Sequence, residues 1–167
     1  MKHPKYWACF FLVASIVTAA LIFWFSAQKG AASRALSDPL TMRLVHILRP
    51  DYKKMSSLAR VNYRETLSTI IRKNAHFCEF MLLGFNLMGA VRFGRPALSE
   101  GDCRLRAMAI AVLYAISDEL HQLFVSERAG RALDILIDAA GSLTGTFVLT
   151  LCLVMLAKIN RRRELRR

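Results

Sequence analysis

Apolar positions in this chain fall into four blocks, at about 6–28, 75–91, 105–125 and 133–157. An amphipathic helix of a soluble bundle would bring a polar residue back every third or fourth position. Long stretches such as FFLVASIVTAALIFWFS carry almost none. Each block is near the roughly twenty residues that a helix rising 1.5 Å per residue needs to cross a hydrocarbon core. The second block stops at Arg92, Gly94, Arg95 and Pro96, where positive charge and backbone breakers coincide. The pattern predicts an all-α integral membrane bundle of four transmembrane helices, forming a single domain over 1–167.

The segment between the first two blocks has its own pattern. Ser37-Asp38-Pro39 reads as a helix start, with Asp as cap and Pro in the first turn. Residues 41–49 then place Leu44, Val45, Ile47 and Leu48 on a short amphipathic piece that Pro50 breaks. A second helical run, 56–72, continues into the second span. These pieces form a helical extracytoplasmic loop, lying in the membrane interface or covering the bundle. The first block follows Lys2 and Lys5 and is longer than the h-region of a cleaved signal, so it reads as a signal anchor. No internal repeat or low-complexity tract is visible.

Composition sharpens this reading. Of 167 residues, 54% are hydrophobic, and the formal net charge is +12. Such a charge invites a nucleic-acid partner, but the basic residues sit outside the apolar blocks, six of them in 158–167. Flanking charge of that kind reports insertion and contact with anionic headgroups, so no nucleic-acid partner is expected. Cys9, Cys78, Cys103 and Cys152 make no CxxC pair and no zinc-like spacing; all four read as free thiols, three of them buried in or beside apolar spans. Lys and Arg divide evenly, about twelve to each side of a four-span topology. Those on the side of the termini are packed densely beside the spans, which places both termini in the cytoplasm, although Arg72 and Lys73 argue the other way.

Ionisable residues inside spans are costly, roughly 2.5–3.5 kcal/mol at a helix centre, and this chain has several. The second span opens with Arg72, Lys73, His76 and Glu79, and Asn86 lies further along the same face. The third ends with Tyr114, Asp118, Glu119, His121 and Gln122, spaced mainly by three, four and seven. The fourth begins with Asp134 and Asp138, one turn apart, and then Ser142. Topology puts all these ends on the loop side, so three helices turn polar stripes into one shallow cup, with Arg128 and Arg131 at its rim.

Each residue also has a plainer reading. His76 could bridge helices by hydrogen bonds, and Asp134 could cap its helix. Glu119 points about 100° from Asp118 and could pair with an Arg. The GxxxG pair Gly141 and Gly145 reads as close helix packing. Asp138 fits a structural role least well, unless Arg128 or His76 partners it. His76, Glu79, Asp118 and His121 together supply two imidazoles and two carboxylates, a set that could hold a divalent zinc or manganese ion. No serine elbow, HExxH or glycine-rich phosphate loop is present.

These residues resemble the VanZ-like family of small bacterial membrane proteins. Within the matching stretch 71–84, residues 72–84 follow RKxxHFxEYxxLG; residues 118–124 follow DExHQxF, Arg128 comes next, and Asp134, Asp138, Gly141 and Gly145 follow DxxxDxxGxxxG. The likeness covers about 70–147, and Phe25-Ser26-Ala27-Gln28 resembles the end of the family's first span. Phe80 stands where Tyr is usual, and Ser126-Glu127 where Pro-Gly is common. The resemblance implies a multi-pass protein of the bacterial cytoplasmic membrane whose founding members lower susceptibility to teicoplanin. It implies no settled reaction.

Three functions compete. In the first, the cup binds or acts on a lipid-linked cell-wall precursor or a glycopeptide, with His76, Glu79, Asp118, His121, Asp134 and Asp138 as acid–base groups and Arg72, Lys73, Glu119, Gln122 and Arg128 as ligand contacts. In the second, the protein is a non-enzymatic scaffold or binding protein whose polar network fixes helix pairing. A proton-coupled transporter is the third, disfavoured by the absence of a mid-membrane relay. The sequence leaves the oligomeric state open.

Overall fold

A computed structural model describes residues 4–28, 30–126 and 132–165, apart from the side chains of 30–34 and 36. Among the described residues there are five α-helices and no strands. They are α1 (Pro4–Ser26), α2 (Gly30–Leu48), α3 (Ser57–Gly94), α4 (Glu100–Gln122) and α5 (Ala132–Glu164), with a 3₁₀ turn at Tyr52–Lys54. Local chemistry sets several ends. Ser56 caps α3 by accepting from the Ala59 amide at 3.3 Å. Ser99 caps α4, accepting from the Asp102 amide at 3.1 Å while its hydroxyl donates to the Asp102 carboxylate at 2.7 Å. Pro96, just past α3, cannot continue that helix.

The long loop departs from expectation in one respect and follows it in another. First, α2 begins at Gly30 and runs through Pro39, so Ser37 and Asp38 do not start it. The proline removes one intrahelical hydrogen bond and crowds the carbonyl four residues back, and the helix continues through it. Second, as expected, 57–72 run on into the second apolar block, giving one unbroken helix of 38 residues, about 57 Å long at 1.5 Å per residue. Residues 57–76 contain neither Gly nor Pro, so nothing there bends the helix sharply. The loop half of α3 therefore carries on along the axis of the span, with α2 packed against it.

α3 is the hub, packing against every other helix. Its contact with α5 is the closest. A Cβ on Gly84 would overlap the backbone of Ser142, one on Gly141 the carbonyl of Phe77, and one on Gly145 the carbonyl of Met81. The GxxxG pair thus does what its spacing suggested, with Gly84 supplying the matching hollow on α3. At the other end of α3, Phe11 of α1 lies over Gly89 and stacks on Phe93 at 5.7 Å. α4 presents Cys103, Ala107, Ala111 and Ala115 inward at four-residue spacing, all fully buried. Small residues let its backbone approach its neighbours.

Large apolar side chains are, by contrast, mostly outside. Phe10, Val13, Ile16, Val17 and Leu21 of α1 are about half exposed, as are Phe147, Leu151 and Val154 of α5. Among the described residues, three helices are long and apolar enough to cross a membrane: Pro4–Ser26, Ser57–Gly94 and Ala132–Glu164. α4 does not meet that measure, since charged residues crowd both its ends. The four cysteines are free, and only Cys103 is buried; Cys9, Cys78 and Cys152 sit on the apolar exterior.

If the glycine contact carries the fold, Gly145→Ala forces α3 and α5 apart. It should lose about 1–3 kcal/mol of stability in detergent. Gly101→Ala, whose Cβ meets only the Ser99 hydroxyl at 3.8 Å, should change stability little. Equal losses for the two variants in thermal unfolding would show that the contact does not matter.

Candidate functional site

The register set by the α3–α5 contact decides what meets one turn further up. Lys73 on α3 pairs with Asp134 in the first turn of α5. Asp134 is thus an ion-pair partner between helices. His76 and Glu79 share a face of α3, with His76 Nδ1 4.0 Å from Glu79 Oε2. Arg72 is half-buried, and its guanidinium donates to the Thr69 hydroxyl at 3.5 Å.

α4 brings its last two turns to the same end. Asp118 is 2% exposed, and Glu119 and Gln122 are buried beside it. Glu119, about 100° further round α4, also lies inside the bundle. Asp118 Oδ2 accepts from Gln122 Nε2 at 2.9 Å and from the Ser26 hydroxyl at 2.8 Å, and Gln122 also donates to Ser26 Oγ at 3.3 Å. His121 is half-buried, its ring 4.6 Å from that of Phe23.

Ser26 is the residue the sequence reading did not place in the site. It is fully buried at the end of α1 and makes a fourth helix part of the cup. The available signal was its position: Ser26 and Gln28 are the first polar side chains after a long apolar run. Asn86, in contrast, lies deeper, donating to the Thr18 hydroxyl at 3.2 Å, and Tyr114 donates to the Ala19 carbonyl at 2.6 Å. Both tie α1 to its neighbours below the cup.

Asp138 sits at the centre of this end of the bundle. It is 1% exposed, and among the described residues neither carboxylate oxygen has a hydrogen-bond partner. Glu119, Asp118, Asp134 and Glu79, from α3, α4 and α5, lie near enough to act on it electrostatically. Among the described residues, no three His, Cys, Asp or Glu side chains gather in a way that would hold a metal ion. His76, Glu79, Asp118 and His121 suit zinc or manganese by type but are not assembled as a ligand set. Arg128 and Arg131 lie outside the described residues.

Chemically, the cup offers one cation tied to a carboxylate, two imidazoles and several buried acceptors. It could bind a polar group strongly, and the imidazoles and carboxylates could move protons. The fold and the site together define a helical bundle of membrane-crossing type with polar residues collected at one end. The VanZ/LLP1 family model matches residues 11–154, and the chain belongs to that family. No curated protein and no solved structure matches it.

The Ser26–Asp118 bond can be measured directly. Ser26→Ala should cost about 1–2 kcal/mol, since a buried bond to a charged group is lost. In a double-mutant cycle with Asp118→Ala in detergent, the two changes should couple by about 1 kcal/mol. Strict additivity would mean that the hydroxyl and the carboxylate do not interact.

Proposed function

We propose that the chain is a four-span protein of the bacterial cytoplasmic membrane. Its cup, on the extracytoplasmic face, binds or acts on the headgroup of a lipid-linked or glycopeptide ligand. Asp138 carries this reading: a buried carboxylate with no partner among the described residues adds nothing evident to folding and is kept for something else. A fourth crossing by α4 is supported by its outward Leu105, Ile110, Leu113, Ile116 and Leu120, from 38% to 69% exposed. An apolar exterior of that kind is suited to lipid. Tyr6 and Trp7 at one end of α1, and Trp24 and Phe25 at the other, fit the two interfacial aromatic belts.

In this arrangement both termini lie in the cytoplasm, and the α2–α3 hairpin stands on the outer side above the cup. Lys73 with Asp134 forms the fixed wall. His76 with Glu79, and His121, are the acid–base groups within reach of a bound headgroup, and Arg128 suits an anionic part of it. VanZ/LLP1 membership supports a link to glycopeptide susceptibility. A second reading, a scaffold or binding protein whose polar network only fixes helix pairing, is favoured by the Ser26–Asp118–Gln122 bonds and the Lys73–Asp134 pair.

Expression in a teicoplanin-susceptible bacterium tests the reading, with His76→Ala and Asp138→Asn alongside. The wild type should raise the inhibitory concentration severalfold, and both variants should fall back to vector level while still inserting. A C-terminal fluorescent fusion should glow and a C-terminal alkaline phosphatase fusion should stay inactive. Unchanged susceptibility removes the glycopeptide link, and an active phosphatase fusion removes the topology.

A further inference from the structure

The carboxylates of the cup are not equally satisfied. Asp134 holds Lys73, and one oxygen of Asp118 accepts from Ser26 and Gln122. Among the described residues, Asp118 Oδ1 and both oxygens of Asp138 accept from nothing, although both residues are at least 98% buried. Folded proteins rarely leave a buried polar atom in that condition. The neighbours that press on Asp138 are Glu119, Asp118, Asp134 and Glu79, and an ionised carboxylate offers acceptors but no donor.

Nearby donors are turned elsewhere. Lys73 goes to Asp134, Arg72 reaches Thr69, and the His121 ring lies against Phe23. Below Asp138 on α5, the Ser142 hydroxyl donates to the Phe80 carbonyl at 3.2 Å and that of Thr146 to the Leu143 carbonyl at 2.8 Å. Among the described residues, no N–H donor reaches either oxygen of Asp138, although Arg72 Nε and His121 Nε2 at this end are themselves buried without a partner.

We infer that Asp138 and the open oxygen of Asp118 form the acceptor subsite for a cationic nitrogen of the ligand, an ammonium or guanidinium group. The inference rests on the reading of the cup as a ligand site and adds the sign of the group that enters deepest. A metal ion would require three or four ligands, a set that the described residues do not assemble. An organic cation brings its own fan of N–H donors, and two carboxylates suffice to pair it. Leu120, Leu133 and Leu136, all more than half exposed at the same end, give the carbon chain of an amphiphilic amine apolar surface to lie on.

The test uses the full chain in detergent with octylammonium and octylguanidinium as probes, against octanol, octyl phosphate and magnesium chloride. Wild type should gain about 3–6 °C in Tm from either cationic probe at tenfold excess over its Kd, and nothing comparable from the others. Asp138→Asn should abolish the gain, and Asp118→Asn should reduce it. If Asp138→Asn does not fold, the contrast between octylammonium and octanol on wild type still decides. Stabilisation by octyl phosphate or magnesium in place of the cationic probes overturns the inference and leaves the cup as a ligand site. A gain that appears only in Arg128→Gln also overturns it, because the chain's own arginine then fills the subsite. If no probe moves wild type, both the subsite and the reading of the cup fail.

Discussion

Everything at the polar end of this bundle depends on how closely α3 and α5 approach. Lipid gives apolar helices no hydrophobic reason to associate, so close backbone packing has to do the work. Here Gly84 takes the backbone of Ser142, while Gly141 and Gly145 lie beneath the carbonyls of Phe77 and Met81. No larger residue leaves room for that approach. It also locks the register, because a glycine contact admits little sliding. Two turns above Met81 and three above Gly145, the same register brings Lys73 to Asp134, and Asp138 is buried at the same end.

Around that fixed pair the cup divides by how its members are satisfied. Ser26, Asp118 and Gln122 form a closed triangle that ties α1 to α4, and Lys73 and Asp134 tie α3 to α5. These are the bonds that a scaffold would need, since a buried network helps when each member is paired. Asp138 follows the opposite rule. The structural and the functional readings of the polar cluster therefore overlap at Asp118, which has one oxygen bonded and one open, and do not compete over the whole.

Much of this was legible in the sequence because helical spacing is a strong signal. The i, i+3 pair His76 and Glu79, the i, i+4 pair Asp134 and Asp138, and the glycines at 141 and 145 each declared a face. Antiparallel connectivity then put those faces at one end. What stayed hidden depended on contacts between helices. Ser26 is one small hydroxyl after a long apolar run, and nothing local says that it meets a carboxylate 92 residues away. The start of α2 was misplaced because Asp-Pro is a common helix opening, yet a proline can also lie inside a helix at the cost of one hydrogen bond.

The central claim is that Asp138 is kept against stability, whereas its neighbours are kept for it. The unfolding free energy of Asp138→Asn, measured beside wild type in the same detergent and without added ligand, tests this most directly. The account predicts a variant at least as stable as wild type, because an uncompensated buried carboxylate is replaced by a neutral group of the same shape. A loss of about 3 kcal/mol or more, the size expected when a paired buried charge is broken, would contradict it and make Asp138 a structural member of the network.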